Sequence, residues 1–319
     1  MNKDLLTPLE ETNTVEVAPN LPVKNILNLL VLAIAVTALA FSPIFTKLSE
    51  FELSPTATIF NRLWIATIIV SFWQFFNTPR SQESSLSSQS SYKERGLLIL
   101  ASFSATASAL LWAISFTQTS IASSTVLRSL TPLFIALGAW LILNQRFDRK
   151  FVLGMILAIV GGISIGWDDL QLGTEYLRGD AIALLSAALH GVNLLVVGYV
   201  RDRGCTTDRV LLWRCGTGAL MVMPIVYLTD SPLFPVSAQG WLTVIALAVV
   251  CQTFGQGLLV FSLKKFSSSF VGIFALLKPI VTALLAWVIF AEDISVTSSI
   301  ALVLILTGIY LAKSSDSKA

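Results

Sequence analysis

The sequence predicts an all-α integral membrane protein of ten transmembrane helices in two inverted five-helix repeats. Three observations predict it. Charged residues make up 13% of the 319-residue chain and hydrophobic ones 55%, with a mean hydropathy of +0.77, whereas a soluble protein carries about 25% charged residues. Apolar segments of the length a bilayer requires, about 17–25 residues, recur ten times along the chain. The chain also repeats itself. Shifting Ser123–Gln145 by 147 residues places Pro132 on Pro279, Ala136 on Ala283, Ala139 on Ala286 and Trp140 on Trp287, and further on Gly161 falls on Gly308.

Residues 1–25 are polar and Glu-rich. Without the apolar core of a signal peptide, they are expected to form a disordered cytoplasmic tail. The predicted spans follow at 26–46, 57–76, 97–117, 122–143, 151–167, 180–200, 209–228, 240–262, 268–290 and 295–312. Residues 26–167 form the first repeat, 168–312 the second, and 313–319 a short cytoplasmic tail. Ser54-Pro55, Ser231-Pro232 and Pro235 punctuate connectors. The Ser-rich run SQESSLSSQSS lies in a loop within the first half and does not divide domains.

Charge placement sets the expected orientation. With the N-terminus inside, fifteen of the twenty-one Lys and Arg fall on the cytoplasmic side, among them Arg146, Arg149, Lys150, Arg201, Arg203, Lys264 and Lys265. The opposite loops hold only Lys47 and Arg178, and Arg62, Arg128, Arg214 and Lys278 lie within spans. This is a strong positive-inside bias. It predicts a multi-pass plasma-membrane protein with both termini cytoplasmic. Five spans per half is an odd number, so the second half is expected upside down relative to the first, with a solute site near midplane between them. Arg62 and Arg214, in the second helix of each half, support the duplication independently.

A further pattern closes each half: Pro, seven residues, Trp, four residues, an acid. The second half reads Pro279, Trp287, Glu292; the first reads Pro132, Trp140 and then Gln145. With ten spans and the inverted repeat, the chain resembles the drug/metabolite transporter superfamily, and within it the EamA-like family, over roughly residues 26–312. The resemblance implies a bundle around a central cavity lined mainly by helices one, three, four, six, eight and nine. It also implies secondary transport, often export, of small metabolites. Gln145 departs from the family's usual Glu at that position.

Lys278 is the first candidate for substrate contact. About ten residues into its span it lies near 15 Å of depth, close to midplane, and Pro279 frees a carbonyl one turn earlier and favours a kink. Either it receives a carboxylate or phosphate, or helix carbonyls neutralise it. Basic residues in the ninth helix of the superfamily's phosphate translocators favour an anion. Arg128, whose repeat equivalent is Ala275, either meets substrate or snorkels outward. Arg62 and Arg214, symmetric and nearer helix ends, read as anchors or gate residues. His190 and Asn193 share a helix face, for substrate bonding, proton exchange or interhelical packing. Gln252 and Gln256 share another face, Gln118 caps the third span, and Trp112 either walls the cavity or packs.

Carboxylates cluster at helix ends and none lies mid-span, where proton-driven carriers commonly place one; exchange or facilitated movement is therefore expected. The three cysteines have no framework or metal-ligand spacing, and no cofactor or metal is expected. A membrane enzyme would need a catalytic constellation that is missing. The expected activity is secondary transport of a small anionic or zwitterionic metabolite such as an amino acid or organic acid. The alternatives are export of cationic drugs on the same fold, or a non-transporting sensor or scaffold. The expected partners are a small solute and the bilayer, with no nucleic acid, in a monomer or homodimer.

Overall fold

The computed structural model describes residues 21–49, 51–77, 92–115, 118–119, 124, 127–165, 176–229, 232–278, 280–281 and 296–316. In chain order the helices are α1 (Leu21–Ala40), α2 (Ser42–Ser49), α3 (Pro55–Asn77), α4 (Tyr92–Ser115), α5 (Thr131–Leu143) and α6 (Arg149–Ile165). There follow α7 (Leu177–Asp202), α8 (Thr207–Leu228), α9 (Ala238–Ala246), a π-helix π1 (Leu247–Gly255), α10 (Gln256–Ser262), α11 (Ser268–Phe274) and α12 (Val296–Asp316). All the regular elements among the described residues are helical. Six stretches are long and apolar enough to cross a membrane: Ile26–Thr46, Pro55–Phe76, Tyr92–Ser115, Leu177–Asp202, Thr207–Leu228 and Ala238–Ser262. Thr131–Leu143 and Val303–Ala312 are shorter apolar helices. The chain is a multi-pass membrane protein. Residues 1–20 and the Ser-rich loop lie outside the described residues, and residues 21–25 and 313–316, expected in the two tails, instead begin α1 and end α12.

Four of the predicted spans are not continuous helices, among them the ninth, which breaks at Ala275–Leu276 one turn before Pro279. The first is interrupted at Phe41, and Pro43 enters at the second position of α2, where a missing N–H costs no intrahelical bond. The fourth, expected over 122–143, is helical without interruption only from Thr131, and Pro132 sits in the first turn of α5 instead of mid-helix. The eighth contains nine residues of π-helix, a rare geometry that period counting cannot anticipate.

Packing runs largely between the halves, and its main pairings map onto one another under their exchange. α3 packs on α8, α5 on α11, and α6 on α12; α4 on α7 is matched by α1 on π1 and α10. The tightest crossing is glycine on glycine. A Cβ at Gly154 would stand 2.5 Å from the carbonyl oxygen of Gly308, and one at Gly308 would stand 2.5 Å from that of Gly154. Backbones this close need small residues, as in membrane helix pairs generally. The interior is filled by Leu32, Ile135, Leu98, Val197, Phe270 and Ile305, all essentially fully buried. Apolar side chains such as Leu137, Trp140 and Leu141 face outward along α5, as lipid requires.

Two polar latches join the halves at the helix ends. Glu52 accepts hydrogen bonds from the backbone N–H groups of Val236 and Ser237, at 3.0 and 3.1 Å, and from the Ser237 hydroxyl. The Ser237 oxygen in turn caps α9 by accepting from Gly240 N at 2.9 Å. Beside this latch Asn61 donates to the Leu233 carbonyl at 2.7 Å, and Trp64 stands edge-on to the stacked rings of Phe234 and Trp241. The second latch is the ion pair of Glu94 on α4 with Arg209 on α8, at 3.4 Å.

Candidate functional site

The site is built on two broken helices. Pro132 has no N–H to give the carbonyl four residues back, that of Arg128, and the turn at Ser129–Leu130 precedes α5. The orphaned Arg128 oxygen accepts instead from the Thr131 hydroxyl, at 2.7 Å. In the second half α11 ends in a turn at Ala275–Leu276, one turn before Pro279. There the Lys278 N–H donates to the Ala275 carbonyl over three residues, at 3.1 Å. The repeat shift of 147 residues carries Ser129 onto Leu276. Both halves thus break at the same place, and a basic residue stands at each break.

The Arg128 side chain is held from three directions. Its Nη1 donates to Ser186 Oγ at 2.5 Å and, more weakly, to Ser108 Oγ at 3.4 Å. Its guanidinium lies over the Trp112 ring, 4.7 Å from the centroid. Ser108 on α4 and Ser186 on α7 each donate to the other's carbonyl at 2.8 Å. Their hydrogens are spent on those carbonyls, which leaves hydroxyl lone pairs for the guanidinium. His190, one turn beyond Ser186, lies within Coulombic reach of Arg128, Lys278 and Arg214, and Lys278 within reach of Arg128. Gln252 Nε2 lies 3.4 Å from Cys215 Sγ, and Gln256 Oε1 accepts from Arg214 Nη1 at 3.4 Å.

The structure therefore brings together Lys278, Arg128, His190 and Trp112, with Gln252 and Gln256 against the neighbouring α8. Asn193 serves packing: it is fully buried and donates to the Ala101 carbonyl of α4 at 2.7 Å. Trp140 is 56% exposed on the outer face of α5 and does not approach the cluster. Pro132 acts through the helix break. Pro279, Trp287 and Glu292 lie outside the described residues. Gln118 follows the end of α4, its backbone against Gly179. Arg62 and Arg214, expected as anchors or gate residues nearer helix ends, lie beside the cluster: Arg214 is 7% exposed, and Arg62 lies within Coulombic reach of Arg128 and Arg214.

Sequence reading missed Ser108 and Ser186. Each lies four residues before a residue already singled out, Trp112 and His190 respectively. That spacing was available in the sequence, but the crossing of α4 on α7 that pairs them was not. None of the four cations of the cluster forms an ion pair with a carboxylate among the described residues. Beyond the ends of the helices, Glu52 and Cys205 titrate away from their ordinary values. The Ser237 side chain and backbone, with Val236, hold the Glu52 carboxyl below the ordinary carboxylate value. Burial, reinforced by the charge of Glu94, pushes the Cys205 thiol up to about 11.

Comparison with known proteins gives a consistent result. The model of the EamA-like transporter family matches residues 26–167 and 177–313. A solved crystal structure of another protein superimposes with a TM-score of 0.75 at 16% identity, over 92% of this chain and 99% of that one. At that identity the likeness concerns the fold alone. No curated protein matches the chain.

Proposed function

The chain belongs to the EamA-like transporter family, and we propose that it carries small anionic or zwitterionic metabolites, amino acids and organic acids foremost, by alternating access. The observation that carries the substrate class is the meeting of Arg128 and Lys278 at two symmetry-related helix breaks, with neutral partners only among the described residues. A buried cation needs a counter-charge or a full set of hydrogen bonds. A solute that brings negative charge supplies the counter-charge while it is bound, and broken helices place such sites in transporters. In this reading the spans number ten, the halves are inverted, and both termini are cytoplasmic in the plasma membrane. The inter-half pairing of α3 with α8, α5 with α11 and α6 with α12 supports rocking of one half against the other about the cluster.

The test is uptake and counterflow in liposomes holding the purified full-length protein. The panel contains amino acids, organic acids, phosphorylated sugars and cationic drugs, each run against Lys278→Ala. Saturable exchange of anions or amino acids that disappears in the variant is the expected outcome. Transport of cations alone, untouched by the variant, would remove Lys278 from the site and sink the proposed substrate class.

A further inference from the structure

Two more arginines stand beside the Arg128–Lys278 pair, and they lack what Arg128 has. Arg62 on α3 and Arg214 on α8 come from opposite halves, on two helices packed against each other. Each has a buried Nε with no hydrogen-bond partner. Arg214 is 7% exposed, and its one polar contact among the described residues is the long bond from Nη1 to Gln256 Oε1 at 3.4 Å. Arg62 makes no hydrogen bond or ion pair among the described residues. Arg62 lies within Coulombic reach of both Arg214 and Arg128, and Arg128 within reach of Lys278.

A guanidinium stays charged at any physiological pH. Neither arginine can escape its burial by losing a proton, as a lysine or histidine can. Two guanidinium groups with buried, unpartnered Nε atoms, close enough to repel and with one long bond from Arg214 to a neutral amide, call for an anion between them. The neighbouring wall is the π-helix with Gln252 and, just beyond it, Gln256, and π-helical turns recur at functional sites. Planar guanidinium forks are suited to carboxylate and phosphate oxygens.

We propose that Arg62 and Arg214 form a second anion subsite continuous with Arg128 and Lys278, so that the preferred solute carries two or more negative charges. A dicarboxylate and a phosphate monoester share this chemistry. The inference rests on the reading of Arg128 and Lys278 as a solute site, and adds that charge number, not charge sign alone, is selected.

The experiment measures KM by counterflow for succinate, glycerol 3-phosphate, lactate and alanine in the full-length protein, in Arg62→Gln, in Arg214→Gln and in Lys278→Ala. Wild type is expected to prefer at least one dianion over lactate by about tenfold, the scale of one charge-assisted hydrogen bond. Each glutamine variant is expected to raise that dianion's KM by about tenfold more than lactate's. Succinate against glycerol 3-phosphate then separates carboxylate from phosphate. Lactate or alanine flux that depends on Lys278 and ignores both arginines overturns the second subsite and leaves the carrier reading intact. Flux of cations alone overturns both. Should the glutamine variants fail to fold, thermal unfolding of the detergent-solubilised wild type decides. Low-millimolar succinate or glycerol 3-phosphate raising Tm saturably and further than lactate at equal ionic strength supports the subsite, and equal shifts overturn it.

Discussion

Arg128 is where backbone breakage and side-chain chemistry meet. Its carbonyl, orphaned by Pro132, is taken by the Thr131 hydroxyl, and its guanidinium rests on Trp112 and Ser186. Thr131→Val keeps the shape and removes the hydroxyl. It should cost about 1–3 kcal/mol, the scale of a buried acceptor left unsatisfied, read as a lowered Tm in detergent. Cys205 makes a second residue-scale prediction. Its thiol, pushed up to about 11 by burial, is roughly a thousandth thiolate at pH 8, and the thiolate is the nucleophile. Iodoacetamide at pH 8 should label it in the denatured chain and spare it in the folded one. Glu52 makes a third. Its folded pKa lies below the ordinary value of 4.5 because Ser237 and Val236 donate to its charged form. The stabilisation is therefore complete above that value and is lost as pH falls through the lower, folded one. Thermal unfolding between pH 5 and 3 should fall for wild type, and Glu52→Gln should flatten this dependence.

At the scale of elements, the crossing of α6 and α12 is set by Gly154 and Gly308, each facing the other's carbonyl. A side chain at either glycine has nowhere to go, because the obstacle is backbone. Gly154→Leu should separate the two helices and destabilise by at least the 1–3 kcal/mol typical of overpacking, read as loss of monodisperse protein in detergent or a lowered Tm. Gly96, with nothing near its missing side chain, is the control and should tolerate alanine. The broken fourth and ninth segments follow from their prolines. The π-helix has no comparable sequence cause that we can name; it is accompanied by Gly255 packed against Leu39 and by the Cys251 thiol donating to the Ala38 carbonyl at 3.3 Å.

At the scale of the whole molecule, the halves are tied at both ends, by Glu52 with Ser237 and by Glu94 with Arg209. Under the proposed alternating access, rocking would release one tie at a time. The ion pair is partly exposed, and such pairs are worth about 0–1 kcal/mol, so it is the cheaper end to open. A Glu52→Cys/Ser237→Cys chain, made with the three native cysteines replaced by alanine, should lose counterflow on oxidation and regain it on reduction. Unchanged counterflow in a fully cross-linked sample would show that this end does not gate.

Composition, the ten apolar segments and the repeated Pro and Trp pattern sufficed to identify a helical membrane protein of the EamA-like family. They could do so because lipid imposes long apolar helices and because duplication leaves residues in register. Lys278 and Arg128 were legible too, since a charge inside an apolar run stands out by itself. The approach of Arg62 and Arg214 to Arg128, the serine pair that holds Arg128 and the π-helix were decided only in the tertiary structure. Each depends on which face of one helix meets which face of another. An isolated helix bonds its own backbone and leaves its side-chain partners unspecified until a second helix, distant in the chain, is packed against it.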